Sequence, residues 1–209
     1  MPHVTVALND TDLTPDDGIR ALLFDWDGTL FDNHHFNFVA LAHGLHVYGV
    51  EITEEWFHEN SGFSARGIVQ EAIRLAGSSA DADAVLAARD TYAEDRVGDI
   101  APVAAVYDVL AHSTGRLVGV VTGSNRSNID ALLRLHNLEA RLDVLVTRDD
   151  LQHGKPNPEG YLLAMERLGV TDASAVLVYE DSDQGIEAAL AAGAHVVDVR
   201  PLLASSPTE

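Results

Sequence analysis

The stretch Ile19-Arg20-Ala21-Leu22-Leu23-Phe24-Asp25-Trp26-Asp27-Gly28-Thr29 reads as a buried strand that stops at an acid. Its apolar run ends abruptly in Asp25, two residues before a second aspartate. Three similar runs follow much later, at residues 117–121 before Thr122, 144–146 before Thr147 and 175–179 before Glu180. A fifth, at 194–199, comes after Gly193. Short apolar runs rich in Val and Leu suit strands buried on both faces of a parallel sheet.

Helical patterns sit between the later runs. Residues 128–136 follow the turn GSNRS, 158–168 open on a proline and end at Gly169, and 185–192 end at Gly193. A proline at the start and a glycine at the end are ordinary helix punctuation. Alternating strand and helix predicts a doubly wound α/β sheet with right-handed crossovers. Residues 33–101 break the rhythm, because they hold no clear buried strand. They read as helices over 36–48, 54–60, 65–76 and 80–97. An insertion of this length directly after the first strand predicts a separate helical cap on a core formed by residues 1–32 and 102–209. Residues 1–18 are polar and acidic and read mostly as a loose arm, with 4–8 as a short edge strand at best.

Composition narrows the partners. The chain has 209 residues, 33 acidic and 13 basic, and a formal charge of −20. That balance argues against nucleic acid, which needs a basic face, and against anionic membrane surfaces. The hydrophobic share of 46% with 22% charged residues is globular rather than disordered. With no cysteine, thiolate catalysis, disulfides and cysteine-ligated zinc are excluded. No apolar run is long enough to span a bilayer, and the first residues do not have the pattern of a secretory signal. The expectation is a cytoplasmic protein.

In open α/β sheets, ligands bind beyond the carboxyl ends of the strands. Those ends carry Asp25 and Asp27, then Thr122, Gly123 and Ser124, then Lys155 with Pro156, and finally Glu180 and Asp181. If the first strand continues through Asp27, both of its carboxylates face one site and Trp26 turns the other way. Four carboxylates within a few ångströms repel unless a cation neutralises them. The donors are all oxygen, so a hard divalent cation, most simply Mg²⁺, is the expected cofactor, with Asp25, Asp27, Glu180 and Asp181 as candidate ligands. Lys155 supplies a point cation, Thr122 a hydroxyl, and Gly123 and Ser124 backbone N–H groups at a helix start, which together can hold a phosphoryl group. Asp25 at the centre can then attack it.

The segments Phe24-Asp25-Trp26-Asp27-Gly28-Thr29-Leu30, Val120-Val121-Thr122-Gly123-Ser124, Lys155-Pro156-Asn157-Pro158 and Glu180-Asp181-Ser182-Asp183-Gln184-Gly185-Ile186 resemble, in order and spacing, the four motifs of the haloacid dehalogenase superfamily. The insert resembles the helical cap of its phosphatase and phosphomutase branch. The run EDSDQGIEAALAAGAHVVDVR is most similar to sugar-phosphate phosphatases near β-phosphoglucomutase, including those acting on fructose 1-phosphate. The resemblance implies a Mg²⁺-dependent phosphatase of a small phosphorylated metabolite. Asp25 would be the nucleophile that becomes aspartyl phosphate. Asp27 would protonate the leaving alcohol and then activate water. Thr122 and Lys155 would hold the phosphoryl oxygens and the charge on Asp25. Asp25, the backbone carbonyl of Asp27, Asp181 and the nearby Glu180 would hold the metal.

The resemblance also reaches the insert. Arg66, in the stretch 60–67, lies where caps of this branch place a substrate loop, and His35 with His34 follows the first motif; Arg66 and His35 are therefore candidate substrate contacts. Adjacent histidines do not share a helix face, which argues against a two-histidine metal site. The remaining histidines read as surface or packing residues, Asp183 as a helix-capping aspartate, and the acidic helix near 81–95 as a solvated face. A β-phosphoglucomutase-like mutase is the alternative. Such mutases are expected to carry a threonine and, four residues on, a histidine, where this chain has Asn33 and Asn37. Dehalogenation has no alcohol leaving group for Asp27 to protonate. A phosphorylated receiver domain would order its acidic pair, phospho-aspartate, threonine and lysine differently.

Overall fold

Parallel pairing of the apolar runs builds the sheet of this computed structural model, which describes residues 1–60 and 63–203. In chain order the elements begin with β1 (Val4–Val6), β2 (Ala21–Phe24) and β3 (Phe31–Asp32). Helices α1 (His34–His46), α2 (Glu54–Glu59), α3 (Ala65–Leu75) and α4 (Ala82–Glu94) follow. Then come β4 (Ala101–Pro102), α5 (Ala104–Ala111), β5 (Leu117–Val121), α6 (Arg126–Leu135) and β6 (Val144–Val146). The chain continues through α7 (Glu159–Leu168), β7 (Val176–Glu180), α8 (Asp183–Ala191), β8 (His195–Asp198) and α9 (Arg200–Leu203).

Six strands pair in the order β1-β8-β7-β2-β5-β6, all parallel. From β2 the chain moves to β5 and β6 on one side, then returns to β7 and β8 on the other. That reversal is a topological switch point, where open α/β sheets place their ligands. Register aligns the strand ends there: Phe24 pairs with Val120 on β5 and with Tyr179 on β7. The sheet is covered by α7 and α8, whose Tyr161, Ala164, Met165, Ala188 and Ala189 are buried against Ala21, Leu23, Val176 and Val178. Burying one large aliphatic side chain contributes about 1.5–3 kcal/mol, so this shared core is what holds the strand ends in register.

By its contacts the chain forms two units, Met1–Asp32 with Pro102–Glu209, and Asn33–Ala101. The second unit has its own core of Leu41, Leu45, Val50, Ile68, Val69, Ala72 and Val85. There α1 and α4 approach so closely that a Cβ at Gly44 would stand 2.6 Å from the Val85 carbonyl. Glycine is the residue that permits that crossing. Ser64 and Asp81 cap α3 and α4 through their side chains.

The arm expected to be loose is instead fastened along much of its length. Val4–Val6 adds an edge strand to β8, and Ala7 donates its N–H to the Asp198 carbonyl at 2.9 Å. Asn9 and Asp12 form a capping box around a single turn, Asp10–Leu13. Leu13 is buried, and its carbonyl accepts the Tyr179 hydroxyl at 2.6 Å. One of the acids that made this segment look unstructured, Asp12, caps its turn. Helix α5 carries no sequence signal of its own: its first turn has no side-chain cap, and it is too short for a clear period. No described helix is long and apolar enough to cross a membrane.

Candidate active site

Asp25 continues the register of β2, and its N–H donates to the Tyr179 carbonyl at 3.0 Å. Strand β2 ends at Phe24, however, so the alternation argument fails beyond it. Gly28 donates to the Phe31 carbonyl at 2.8 Å and Leu30 to that of Trp26 at 3.1 Å, closing a loop. The two carboxylates therefore take different partners. Asp25 Oδ1 accepts from Lys155 Nζ. Asp27 Oδ2 accepts from Ser124 Oγ at 2.8 Å and, more weakly, from Thr122 Oγ1 at 3.4 Å. Trp26 does turn inward and packs on Phe31, with ring centroids 4.7 Å apart.

Lys155 is the only lysine in the chain. Its ammonium bridges Asp25 Oδ1 and Glu180 Oε1. Glu180 is fully buried and both of its oxygens are engaged. Oε1 also accepts from the Tyr161 hydroxyl at 2.7 Å. Oε2 accepts from the Asp181 N–H at 3.1 Å, the Ser182 N–H at 3.2 Å and Ser182 Oγ at 3.0 Å. Asp181 Oδ1 accepts from Thr29 Oγ1 at 3.0 Å, and Thr29 is itself buried.

One oxygen from each of Asp25, Glu180 and Asp181 lies within 4.8 Å of the others. Burial is the largest influence on the Asp25 carboxyl and pushes it well above the ordinary carboxylate range; Lys155 pulls it back, while Glu180, Asp181 and Asp27 push it further up. Burial acts to lower Lys155, but Asp25 and Glu180 beside it outweigh burial and hold it well above the usual lysine value. Three carboxylates thus face one lysine, and the uncompensated charge calls for a further cation. Hard oxygen donors without sulfur suit Mg²⁺, so the residues present fit such an ion. The Asp27 carboxylate is outside this cluster; the part expected of Asp27 at the metal is that of its backbone carbonyl.

Two further expectations are corrected. The helix start after Gly123 and Ser124 does not offer all its amides: Ser124 N–H donates to Thr122 Oγ1 at 2.9 Å, and Arg126 N–H to Asp149 Oδ2 at 2.8 Å. Asp149 already occupies the anion position at the start of α6. Gly123 is exposed and has open space on its Cβ side. The cap of α8 is Ser182, which accepts from the Gly185 N–H at 3.0 Å. Asp183 points instead at Arg200, 2.7 Å away.

Arg66 and His35 lie in the other unit. Arg66 pairs with Asp83, and His35 Nδ1 meets Glu54 Oε1 at 2.8 Å, both on exposed faces. Of the substrate loop expected around Arg66, Ser61 and Gly62 fall outside the described residues. Thr29 and Gly185 lie within the quoted segments but were given no role by the sequence, and Tyr161 was missed. Tyr161 had a signal: it is a phenol on the buried face of α7, and a buried tyrosine hydroxyl usually has a hydrogen-bond partner.

Known proteins resemble this chain over most of its length. The chain is 33% identical over 182 residues to the fructose-1-phosphate phosphatase YqaB of Escherichia coli (strain K12), covering 87% of this chain and 96% of that one. It is 31% identical over 179 residues to a phosphorylated carbohydrates phosphatase of Thermotoga maritima, covering 84% and 82%. The crystal structure of CbbY from Rhodobacter sphaeroides in complex with phosphate superposes with a TM-score of 0.73 at 24% identity, over 87% of this chain and 86% of that one, and so shares the fold. The family described as haloacid dehalogenase-like hydrolase matches residues 22–199, and the chain belongs to it.

Proposed function

We propose that this hydrolase is a Mg²⁺-dependent phosphatase of a small phosphorylated sugar, working through a phosphoaspartate on Asp25. The observation that carries the reading is the buried Asp25 carboxylate, held by Lys155 at the switch point of the sheet beside two further acids. The named phosphatases that the chain resembles support the substrate class. Asp25, Asp181 and the backbone carbonyl of Asp27 would hold the ion, which when bound would offset charge on the carboxylates and on the phosphoryl oxygens.

In this reading Asp25 attacks phosphorus and the P–O bond to the sugar breaks. Asp27 gives its proton to the departing sugar oxygen. Lys155 and Thr122 balance charge on the transferring group, where most of the rate gain arises. Asp27, now ionised, takes a proton from the water that attacks the phosphoaspartate, and inorganic phosphate leaves with Asp25 restored. Splitting one displacement into two is the ordinary gain of covalent catalysis. For Asp27 to do this, its carboxylate exchanges Ser124 for the substrate oxygen, and the Thr122 hydroxyl exchanges Asp27 for a phosphoryl oxygen. The unit Asn33–Ala101 serves as the cap, with Arg66 and His35 as its substrate contacts.

A screen of phosphorylated sugars with Mg²⁺, reading released phosphate, tests the proposal, with fructose 1-phosphate among them. Phosphate release that Asp25→Asn abolishes supports it. Release by Asp25→Asn near the wild-type rate, or none from any sugar phosphate, contradicts it. Isomerised sugar phosphate in place of free phosphate would mark a mutase.

A further inference from the structure

Tyr161 makes two contacts with the lysine apparatus that no motif of the sequence announces. Its hydroxyl donates to Glu180 Oε1 at 2.7 Å, and Lys155 Nζ lies 5.4 Å from the centroid of its ring. That distance is within the range of a cation–π contact. Tyr161 is buried, and it sits in the first turn of α7, six residues after Lys155. Glu180 Oε1 is therefore shared by the ammonium and the phenol, and Oε2 by three donors of the Asp181–Ser182 segment.

A second observation shows how closely this carboxylate is fitted. A Cβ at Gly185 would fall 1.8 Å from Glu180 Oε1 and 2.2 Å from Oε2. Helix α8 rests on the carboxylate itself, and glycine is required at 185. Glu180 thus has no room to move and no acceptor position left over.

An ammonium has three N–H bonds. Two of those on Lys155 are spent on Asp25 Oδ1 and Glu180 Oε1. Once these and the stem are fixed, tetrahedral geometry fixes the direction of the third. We infer that Tyr161 is a positioning residue: through Glu180 and its own ring it aims the third N–H of Lys155 at the phosphoryl oxygen. Glu180 then acts through the lysine and the Asp181 loop rather than as a ligand of the metal. This rests on the phosphatase reading for its purpose, but its geometry can be tested without substrate.

Tyr161→Phe keeps the ring and removes the hydroxyl. The control is Tyr179→Phe, which removes another buried hydroxyl, bound to the Leu13 carbonyl. Because the chain has one lysine, protein made with lysine labelled in ¹³C at Cε gives one Cε–Hε signal. We expect Tyr161→Phe to lower kcat about tenfold with KM changed less than about twofold, and to move the lysine signal. Tyr179→Phe should lower the melting temperature and leave both kcat and the lysine signal in place. Wild-type kcat in folded Tyr161→Phe, an unmoved lysine signal, or an equal loss of kcat in Tyr179→Phe overturns the inference. Should Tyr161→Phe not fold, wild-type protein decides: a nuclear Overhauser contact between the lysine Cε protons and the Tyr161 ring supports the geometry, and its absence overturns it. If no sugar phosphate is hydrolysed at all, the phosphatase reading fails while the lysine signal still tests the contact.

Discussion

The strand ends of the sheet-bearing unit and the helix faces of the unit Asn33–Ala101 treat charge in opposite ways. In the first, Asp25, Lys155, Glu180 and Asp181 are brought together by strand ends in fixed register, and their partners are buried or half-buried. In the second, Arg66 meets Asp83, Arg74 meets Glu71 and His35 meets Glu54 on exposed helix faces. Exposed pairs contribute little, because water screens them and long side chains lose freedom in making them. Buried pairs are costly to break, since one partner is left charged and alone. The teaching is that chemistry was written where the backbone leaves charges no alternative partner.

Substitutions can break this contrast. The largest effect is expected for Asp25→Asn, which should reduce phosphate release by more than about 10³-fold; a loss of under tenfold would place the nucleophile elsewhere. Removing divalent ions with a chelator should abolish turnover, and Mg²⁺ should restore it.

Gly185→Ala comes next. Its new methyl group has no room beside Glu180, so a stability loss of about 1–3 kcal/mol or more is expected, read from denaturant unfolding. An unchanged midpoint would show that α8 can withdraw from the carboxylate.

Acid sensitivity should separate the units as well. The Arg200 guanidinium, then its backbone N–H, hold the buried Asp198 carboxyl below the ordinary range, against the opposing effect of burial. Its folded value is below the unfolded one, near about 3.9. The stability it contributes is present above that value and lost as pH falls through the lower folded value. Melting of wild type and Asp198→Asn should therefore differ at neutral pH and converge in acid. The half-exposed Glu71, also held low by its hydrogen bond to Arg74, should show no measurable difference on the same substitution. A constant gap for Asp198 at all pH values would contradict this.

The smallest effects belong to Arg66→Ala and His35→Ala. If these residues serve substrate, KM rises by severalfold while the melting temperature is unmoved; equal kinetics would remove them from the site. Added salt should mildly raise kcat/KM for an anionic substrate, because a protein of charge −20 repels it until screening sets in.

What the sequence disclosed follows the same division. Strands 117–121 and 144–146 were legible to the residue, because runs buried on both faces are apolar throughout. The acids and Lys155 were legible because each directly follows such a run or its loop. Three-dimensional pairing was not. Nothing in Asn9 to Leu13 announces that Leu13 receives a tyrosine 166 residues away. Nor does spacing announce that Asp27 turns to Ser124, since β2 stops before Asp27 and the loop then decides. In the helical unit, four helices were legible where no buried strand could be read, but an exposed arginine has several acids within reach and no register to choose among them.

If Asp25 carries the phosphoryl group, the adduct can be trapped there. Asp27→Asn should slow attack by water, yet acetyl phosphate needs no proton to release acetate. That variant, mixed with acetyl phosphate and Mg²⁺, quenched in acid and digested, should yield the peptide containing Asp25 heavier by one phosphoryl group, and adding Asp25→Asn should erase the adduct. Phosphate released with no adduct at Asp25, or an adduct on another residue, would contradict the account.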